Sequence, residues 1–258
     1  MSDEFEVVRD GYDRIGGGYR DWSRDNSVRL RWVERLLTEL RPGGVVLDLG
    51  CGTGEPAIPI LAEHHRVIGV DGSFTQLRLA QQAVRAALLV HADMTRFAVR
   101  PASLDAVASF YALGHIPSRQ HAQLFAAIAS WLRPGGLLVT SAPTTPGDEI
   151  RADWLGVPMF FGGIGADATR HAVRAAGLTL DAFEVVEEDE GDGHLVAFLW
   201  LVARRPSTAD SAIDGPLPRA GHRHSRPLMT IGLPAITAVS AGADSPGPFR
   251  LTQRHSSS

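Results

Sequence analysis

The sequence predicts an α/β protein built on a doubly wound, mostly parallel sheet whose last strand runs antiparallel. Three observations support this fold class. Short apolar runs of strand type alternate with amphipathic helical segments along residues 27–142. A glycine-rich loop, DLGCGTG at 48–54, follows the first buried strand. Two apolar runs, 178–190 and 194–204, are separated only by GDG, which is typical of a β-hairpin.

The alternating segment accounts for five strands and the helices between them. Apolar residues recur at helical spacing over 27–40, with Asn26 as a candidate N-cap. Three arginines of this helix, Arg29, Arg31 and Arg35, are expected on its solvated face. Strands are expected at 43–50, 66–71, 86–93, 104–110 and 136–142, and helices at 27–40, 55–64, 118–132 and 167–176, with one more capped by Ser73.

The chain divides into three parts. Residues 1–42 form an N-terminal helical lid segment, and 43–205 form the main domain, in which 143–166 is expected to be a long loop. Residues 206–258 hold 7 of the 16 prolines and show no sustained periodicity, so we expect a disordered tail.

Composition excludes several classes of chemistry. All 25 basic residues are arginine, so a lysine Schiff base, a pyridoxal phosphate anchor and a Walker-A loop are excluded. The formal net charge of −4 gives no general attraction to nucleic acid or to an anionic membrane. The single cysteine, Cys51, rules out an intramolecular disulfide. We therefore expect a cytoplasmic protein with no metal site, no nucleic-acid partner and no membrane contact.

The glycine loop predicts a site for an adenosine-containing ligand. Gly50, Gly52 and Gly54 permit a tight turn and close approach of a ligand to the backbone. Asp71 ends the next strand 21 residues after Gly50, the spacing at which a carboxylate meets a ribose diol. The dinucleotide pattern needs a glycine where Glu55 stands, because a carboxylate there repels pyrophosphate. The loop therefore favours S-adenosylmethionine over NAD.

Five segments resemble, in order, the motifs of class I S-adenosylmethionine-dependent methyltransferases. These segments are DLGCGTG (48–54), VIGVDGSFTQLRLAQQ (67–82), HADM (91–94), LDAVASFYALGHI (104–116) and WLRPGGLLV (131–139). More narrowly, the chain is similar to small-molecule enzymes of the methyltransferase-25/11 kind, and actinobacterial members share WLGVPMFF (154–161) and HLVAFLWLVARRP (194–206). The resemblance covers about residues 5–204. It implies a Rossmann-like, seven-stranded sheet of order 3-2-1-4-5-7-6 with strand seven antiparallel.

The resemblance also implies roles for residues around the cofactor. The glycines would line its methionine part, Asp48 would support its amino group and Asp71 would bind the ribose hydroxyls. Asp93 would accept a hydrogen bond from the adenine amino group, although a turn cap is a competing interpretation. The cofactor-binding set is Asp48, Gly50, Cys51, Gly52, Gly54, Asp71, Gly72, Ser73, Ala92, Asp93, Met94 and Phe110. Cys51 is interpreted as a small loop residue and not as a nucleophile.

On the acceptor side, the N-terminal segment GYDRIGGGYRDW is interpreted as a flexible lid over the cofactor. His115 is the candidate catalytic residue: a neutral imidazole can remove the proton of a hydroxyl acceptor, whereas a structural histidine is the alternative. The expected substrate-lining residues are Tyr12, Tyr19, Tyr111, His115, Trp154 and Phe160. They predict a mostly apolar pocket for a small, largely apolar or aromatic molecule with an O, N or S nucleophile. The alternative is that Phe160 and Phe161 only cap the sheet edge.

Two other functions stay open at this stage. A nicotinamide-dependent oxidoreductase is disfavoured by Asp48, by Glu55 and by the absence of a Tyr-x-x-x-Lys pair. A non-catalytic protein that binds S-adenosylmethionine and regulates a partner would have the same loop. A cofactor turnover assay distinguishes this regulator from an enzyme.

Overall fold

A computed structural model describes residues 4–22, 27–189 and 195–207, with the side chains of 21 and 22 left out. The helices are α1 (Glu4–Ile15), α2 (Gly17–Trp22), α3 (Ser27–Glu39), α4 (Ala57–Ala62), α5 (Phe74–Ala83), α6 (His121–Trp131) and α7 (Ala166–Ala175). The strands are β1 (Val45–Leu49), β2 (Arg66–Asp71), β3 (Leu88–His91), β4 (Leu104–Ser109), β5 (Leu132–Pro143), β6 (Pro146–Trp154), β7 (Val157–Ile164), β8 (Thr179–Asp189) and β9 (Leu195–Arg204).

One seven-stranded sheet carries the fold, in the order β3-β2-β1-β4-β5-β9-β8. Strands β1 to β5 are parallel, and β9 runs antiparallel to both β5 and β8. The hairpin β6–β7 lies outside this sheet, so β8 and β9 are the sixth and seventh strands of the sheet in chain order. Numbered in this way, the order is 3-2-1-4-5-7-6, and the seventh strand is antiparallel to its neighbours. The predicted fold class is confirmed.

The sheet is covered on both faces, which explains why its central strands are almost continuously apolar. On one face, Leu47 and Leu49 of β1 belong to a core with Phe125 and Ile128 of α6. On the other face, Val46 packs in a second core with residues of α3, α4 and β9. Trp32 of α3 stacks on Trp200 of β9 there, with ring centroids 5.6 Å apart.

One arginine of α3 departs from the prediction. Arg31 and Arg35 are solvent-accessible, as expected for the polar face, but Arg29 is buried, with 7% of its surface exposed. Its guanidinium donates a hydrogen bond to the carbonyl of Glu55 and lies over the ring of Tyr111, 4.8 Å from the centroid. Helical spacing itself places Arg29 on the buried face of α3, since Val33 and Leu36 follow it by four and seven residues. The expectation of a solvated position for Arg29 was therefore wrong, because it followed residue type and not position on the helix.

The segment 143–166, expected to be a loop, contains the hairpin β6–β7. Leu155 and Gly156 form its turn, and both have positive φ angles, 52° and 81°. A tight two-residue hairpin turn requires two consecutive residues with positive φ angles. Leucine is uncommon at the first of these positions, where asparagine, aspartate or glycine usually marks such a turn in a sequence. β6 is also exposed along nearly its whole length, so it lacks the apolar alternation that identifies a half-buried strand.

Most element boundaries differ from the predicted ones by a few residues, and some expectations concern residues outside the described ranges. The cap of α5 is confirmed, since Ser73 Oγ accepts a hydrogen bond from the Gln76 amide at 3.1 Å. Asn26, the turn 191–193 and the tail beyond residue 207 lie outside the described residues. Among the helices described, none has the length and apolar character needed to cross a membrane.

Candidate active site

The glycine loop is held against the end of β2 by backbone hydrogen bonds. The amides of Gly50 and Cys51 both donate to the carbonyl of Val70, at 2.8 and 3.0 Å. Gly50 has a φ of 77°, and a Cβ there would lie 2.3 Å from Cβ of Ala112. A side chain at Gly50 is therefore excluded both by conformation and by the segment that follows β4.

Asp71 closes the loop from the opposite side. Its carboxylate accepts hydrogen bonds from the amides of Gly52, at 2.7 Å, and Ser73, at 2.8 Å. Burial raises the pKa of Asp71. The carboxylate that the sequence assigns to a ribose is thus fixed at the carboxyl end of β2, facing the loop.

Asp48 is the most unusual carboxylate of the site. Only 3% of its surface is exposed, and within the described part of the chain no hydrogen bond reaches its carboxylate. Burial raises its pKa to about 7, with Arg29 opposing that rise and Asp71 adding to it. A buried carboxylate without a donor is costly, and a cationic ligand group is the partner that removes the cost. This feature fits the ammonium of S-adenosylmethionine.

Asp93 and Met94 line a small cleft together with Asp71 and two glycines of the loop. Asp93 accepts hydrogen bonds from the amide and hydroxyl of Thr95, both through Oδ1, so it caps a turn and also lines the cleft. Both interpretations of Asp93 are therefore compatible with the structure. The cleft has a volume of about 70 Å³ and is also lined by Gly50, Gly52, Asp71, Gly72, Ser73 and Phe110. Four members of the expected cofactor-binding set are not among its lining residues: Asp48, Cys51, Gly54 and Ala92. Burial raises the pKa of the Cys51 thiol, consistent with an unreactive residue.

A second and much larger cavity lies beside the cleft. Its volume is about 760 Å³, within the range of pockets that bury a drug-sized ligand. Its lining includes the aromatic residues Tyr12, Tyr19, Tyr111, Trp154 and Phe161. It also includes many polar residues, which differs from the mostly apolar pocket expected from the sequence: Thr144, Thr145, Asp148, Glu149, Arg151, Glu188 and Asp189. The two groups are interleaved, since Arg151 lies over the ring of Phe161 and Tyr111 donates to Glu188.

Four described residues line both cavities: Tyr12, Tyr19, Tyr111 and His115. They include all three tyrosines of the chain. Trp154 joins them in one aromatic cluster, with its ring centroid 5.9 Å from Tyr12 and 6.0 Å from His115. Phe160, in contrast, is 3% exposed and lines neither cavity; its neighbour Phe161 occupies that position on the cavity surface. Five of the six expected lining residues are therefore brought together.

His115 is held at both ring nitrogens. Nδ1 lies 2.9 Å from the carbonyl oxygen of Phe160, and Nε2 lies 2.8 Å from the hydroxyl of Tyr12. Burial lowers the pKa of His115 to about 4; the hydrogen bond to the Phe160 carbonyl opposes this shift and the charge of Arg151 contributes to it. The imidazole is therefore neutral at physiological pH.

Sequence reasoning missed two polar groups of the large cavity. Arg29 lines it from the start of α3, and Glu188 lines it from the end of β8. Glu188 accepts hydrogen bonds from the Tyr111 hydroxyl at 2.5 Å and the Trp200 indole at 2.9 Å. The sequence suggested only a solvated strand end for the acidic run 184–190. No local pattern separates Glu188 from its neighbours, because its partners come from β9 and from the segment after β4.

The lid segment is docked on the cofactor loop. The glycine run interrupts the helix only at Gly16, and α2 begins at Gly17. Asp13 accepts hydrogen bonds from the Ser73 hydroxyl and the Thr75 amide, at 2.5 and 3.0 Å. Gln76 donates through Nε2 to the carbonyls of Tyr12 and Gly16. These contacts position Tyr12 and Tyr19 at the junction of the two cavities.

Comparison with known proteins agrees with this geometry. A family model described as a methyltransferase domain matches residues 46–136. The chain is 32% identical over 210 residues to the 27-O-demethylrifamycin SV methyltransferase of Amycolatopsis mediterranei (strain S699), which covers 74% of this chain and 70% of that protein. It is 29% identical over 140 residues to an uncharacterized methyltransferase of Geobacillus kaustophilus (strain HTA426); the match covers 53% of this chain and spans 64% of the length of that relative.

A solved structure shares the architecture. The magnesium protoporphyrin IX methyltransferase of Synechocystis PCC 6803, determined with bound S-adenosylmethionine, superposes with a TM-score of 0.62 at 19% identity and covers 80% of this chain and 98% of that one. At this identity the likeness concerns the fold. Together with the rifamycin relative and the glycine loop, it leads to one conclusion: this chain belongs to the family of S-adenosylmethionine-dependent methyltransferases.

Proposed function

We propose that this protein transfers a methyl group from S-adenosylmethionine to a nucleophilic heteroatom of a small molecule held in the large cavity. The observation that carries the proposal is the junction of the two cavities at Tyr12, Tyr19, Tyr111 and His115. One cavity is lined by Gly50, Gly52 and the carboxylate of Asp71, which fit the cofactor, and the other has room for an acceptor. A methyl donor and an acceptor must meet at such a point.

The residues of the chain perform three tasks in this reaction. When bound, S-adenosylmethionine supplies an electrophilic methyl group. Asp48 and Asp71 hold the cationic and ribose ends of the cofactor, and the glycines let it approach the backbone. The aromatic cluster around Tyr12 and Trp154 orients the acceptor and excludes water. Alignment and desolvation of this kind supply much of the rate of a displacement reaction.

The cavity also supports a proposal about the acceptor. A volume of about 760 Å³ exceeds the needs of a single aromatic ring. The aromatic side chains of the lining favour an apolar or planar ring system, and its polar side chains, such as Asp148 and Glu188, favour hydroxyl or amino substituents on that ring system. One relative is named 27-O-demethylrifamycin SV methyltransferase, which supports a small-molecule acceptor. We therefore propose a multi-ring molecule with polar substituents, methylated in the cytoplasm without nucleic acid or a membrane as partner.

The first experiment separates this function from its alternatives. Calorimetry of the full chain should show binding of S-adenosylmethionine and no heat with NAD. The variant Gly52→Val is the matched control, since this glycine has a φ of 55° at the centre of the loop. Methyl transfer is then followed with labelled cofactor and a library of multi-ring hydroxy and amino compounds. Binding without turnover on any compound would favour a regulatory protein, and binding of NAD alone would contradict the proposal.

A further inference from the structure

We infer that Tyr12 and His115 form a proton relay, in which Tyr12 receives the proton of the acceptor and His115 receives that of Tyr12, so that the methylated atom is a hydroxyl oxygen. This inference rests on the proposed function and adds to it the acceptor atom and the proton path. Tyr12 is the catalytic residue of the pair, since it lines both cavities at their junction, and His115 acts through it.

The hydrogen bonds of His115 determine its tautomer. The Phe160 carbonyl oxygen, 2.9 Å from Nδ1, is only an acceptor, so Nδ1 must carry a proton. A neutral imidazole then has its lone pair on Nε2. Nε2 lies 2.8 Å from the Tyr12 hydroxyl, which therefore donates to it. The hydrogen bond between Nδ1 and the Phe160 carbonyl thus determines the direction of proton transfer, which is from Tyr12 toward His115.

Three separate elements hold the relay. Tyr12 comes from α1, His115 from the segment after β4 and the carbonyl of Phe160 from β7. Rings surround the pair: the Tyr19 centroid lies 5.1 Å from that of Tyr12, and the Phe161 centroid lies 5.0 Å from that of His115. These rings limit the access of water to the partly buried pair, so a neighbouring protein group is well placed to receive a proton released at the junction.

The charges around the pair agree with this role. Burial raises the pKa of Tyr12 well above its usual range, with Tyr19, Asp71 and Arg29 facing it. His115, which faces Arg151 and the Phe160 carbonyl, stays neutral and available as an acceptor. A weak base is sufficient here, because the hydroxyl oxygen becomes strongly acidic as its bond to the methyl carbon forms. The same relay has no proton to remove from a thiolate.

The step balances in atoms and charge. The acceptor oxygen forms a bond to the methyl carbon while the bond between that carbon and the sulfonium sulfur breaks. The O–H bond of the acceptor breaks as its proton moves to Tyr12 Oη, and the proton of Tyr12 moves to Nε2 of His115. The positive charge lost at sulfur is thus recovered on the imidazolium, which later returns a proton to solvent through the large cavity.

Tyr111 also lies at the junction of the two cavities, but it is not suited to pass a proton to His115. Its hydroxyl donates to Glu188 at 2.5 Å, so its proton points away from His115. Its φ of 59° and the hydrogen bond from its amide to Ser141 Oγ, at 2.7 Å, fix the ring against Arg29. Tyr111 therefore shapes the cavity, while the path to a base begins at Tyr12.

The tautomer is tested first and needs no acceptor. Histidine-labelled full-length protein is measured by ¹⁵N NMR, with His115→Gln identifying the resonance and the exposed His171→Gln as control. We expect Nδ1 protonated and Nε2 unprotonated, with the Nε2 signal shifted in Tyr12→Phe because its hydrogen bond is lost. A protonated Nε2 would overturn the relay. So would an Nε2 chemical shift that is the same in Tyr12→Phe as in the wild type.

A pair of acceptors tests the catalytic role. The probes are 2-naphthol and 2-naphthalenethiol, which is ionised in mildly alkaline buffer. Tyr12→Phe and His115→Gln should lower kcat on the naphthol about 100-fold with little change in KM, leave the thiol rate unchanged and retain cofactor binding. His171→Gln should match the wild type on both probes.

Equal losses on both probes, or an effect confined to KM, would assign the pair a structural role and overturn the inference. If the wild type methylates neither probe and no library compound, the proposed function fails. The NMR result still decides the relay by itself, so the two failures are distinguishable.

Discussion

The two cavities of this protein are built in different ways. The cofactor cleft depends on a backbone loop: the carbonyl of Val70 and the carboxylate of Asp71 hold the amides of Gly50, Cys51, Gly52 and Ser73, all within 50–73. Side chains such as Met94 and Phe110 complete its lining. The acceptor cavity is made by side chains from α1, α3, β6, β7, β8 and the segment after β4, which are distant in the sequence. A backbone cradle tolerates few substitutions and serves one ligand, whereas a surface of side chains can be changed residue by residue. We infer that substrate choice is encoded in the second region.

The largest expected effect concerns Gly50. Gly50→Ala should abolish cofactor binding and destabilise the fold by about 2–4 kcal/mol, because it combines a left-handed residue with a clash against Ala112. Gly43→Ala is the matched control: φ is 83° there, but no atom lies within 4 Å of an added Cβ. It should cost only about 1–2 kcal/mol and bind normally. Calorimetry and thermal melts measure both, and equal binding by the two variants would contradict the backbone cradle.

The second effect concerns the charge on Asp48. Its folded-state pKa of about 7 lies above the unfolded value of about 3.9, so the free energy of unfolding should fall as pH rises from about 4 to 7. Cofactor affinity should instead rise with pH, because only the ionised carboxylate attracts the cationic group of the cofactor. Below about pH 7, each unit of acidification should lower the affinity by up to about tenfold as Asp48 is protonated.

Asp48→Asn is the corresponding variant. It should bind the cofactor at least about 30-fold more weakly in mildly alkaline buffer and should lose most of this pH dependence. Titrations at several pH values measure both quantities. An unchanged pH profile in the variant would show that another group is responsible, and Asp71 is then the next to test, since burial raises its pKa too.

A moderate effect is expected in the acceptor cavity. Trp154→Ala should raise the KM for an acceptor about tenfold and leave cofactor affinity unchanged, since its ring contacts Tyr12 and Phe161. Ile150→Ala on the same hairpin is the control, as Ile150 is 56% exposed. Phe160→Ala should instead lower stability by about 3–5 kcal/mol, because its side chain is buried. If Trp154→Ala changes only stability, the hairpin is structural and the acceptor binds elsewhere.

The smallest effect is expected from removal of the tail, 206–258, because its sequence offers no periodic apolar face to bury. A chain ending at Arg205 should keep the melting temperature and the cofactor affinity of the full chain. Arg205 itself must stay, because its backbone exchanges hydrogen bonds with Gly135 and Gly136. A lower melting temperature would show that the apolar segment 228–239 packs on the domain.

The sequence alone determined the fold class, the cofactor and the family resemblance. Each depends on short-range features: strand and helix periodicity, a glycine loop immediately after a strand, Ser73 as a cap, and an acid at the end of the next strand. Such features can be predicted from the sequence because their physical cause is local. A turn that needs a positive φ selects glycine, and a helix that needs an N-cap selects a residue such as serine, within a few positions of the chain. The same holds for Tyr12, Tyr19 and His115, which were identified from the motifs that contain them.

Only the tertiary structure decided the acceptor side. In the sequence, Arg29 belongs to an amphipathic helix and Glu188 to an acidic strand, and neither is recognisable as a cavity residue. Their positions in the cavity depend on the contacts that both residues make with Tyr111. The hairpin β6–β7 was hidden because β6 is exposed on both faces, and His115 obtained its tautomer from a carbonyl 45 residues away. These properties arise from contacts between segments far apart in the chain, and a side chain's burial or proton position depends on neighbours that local periodicity does not specify.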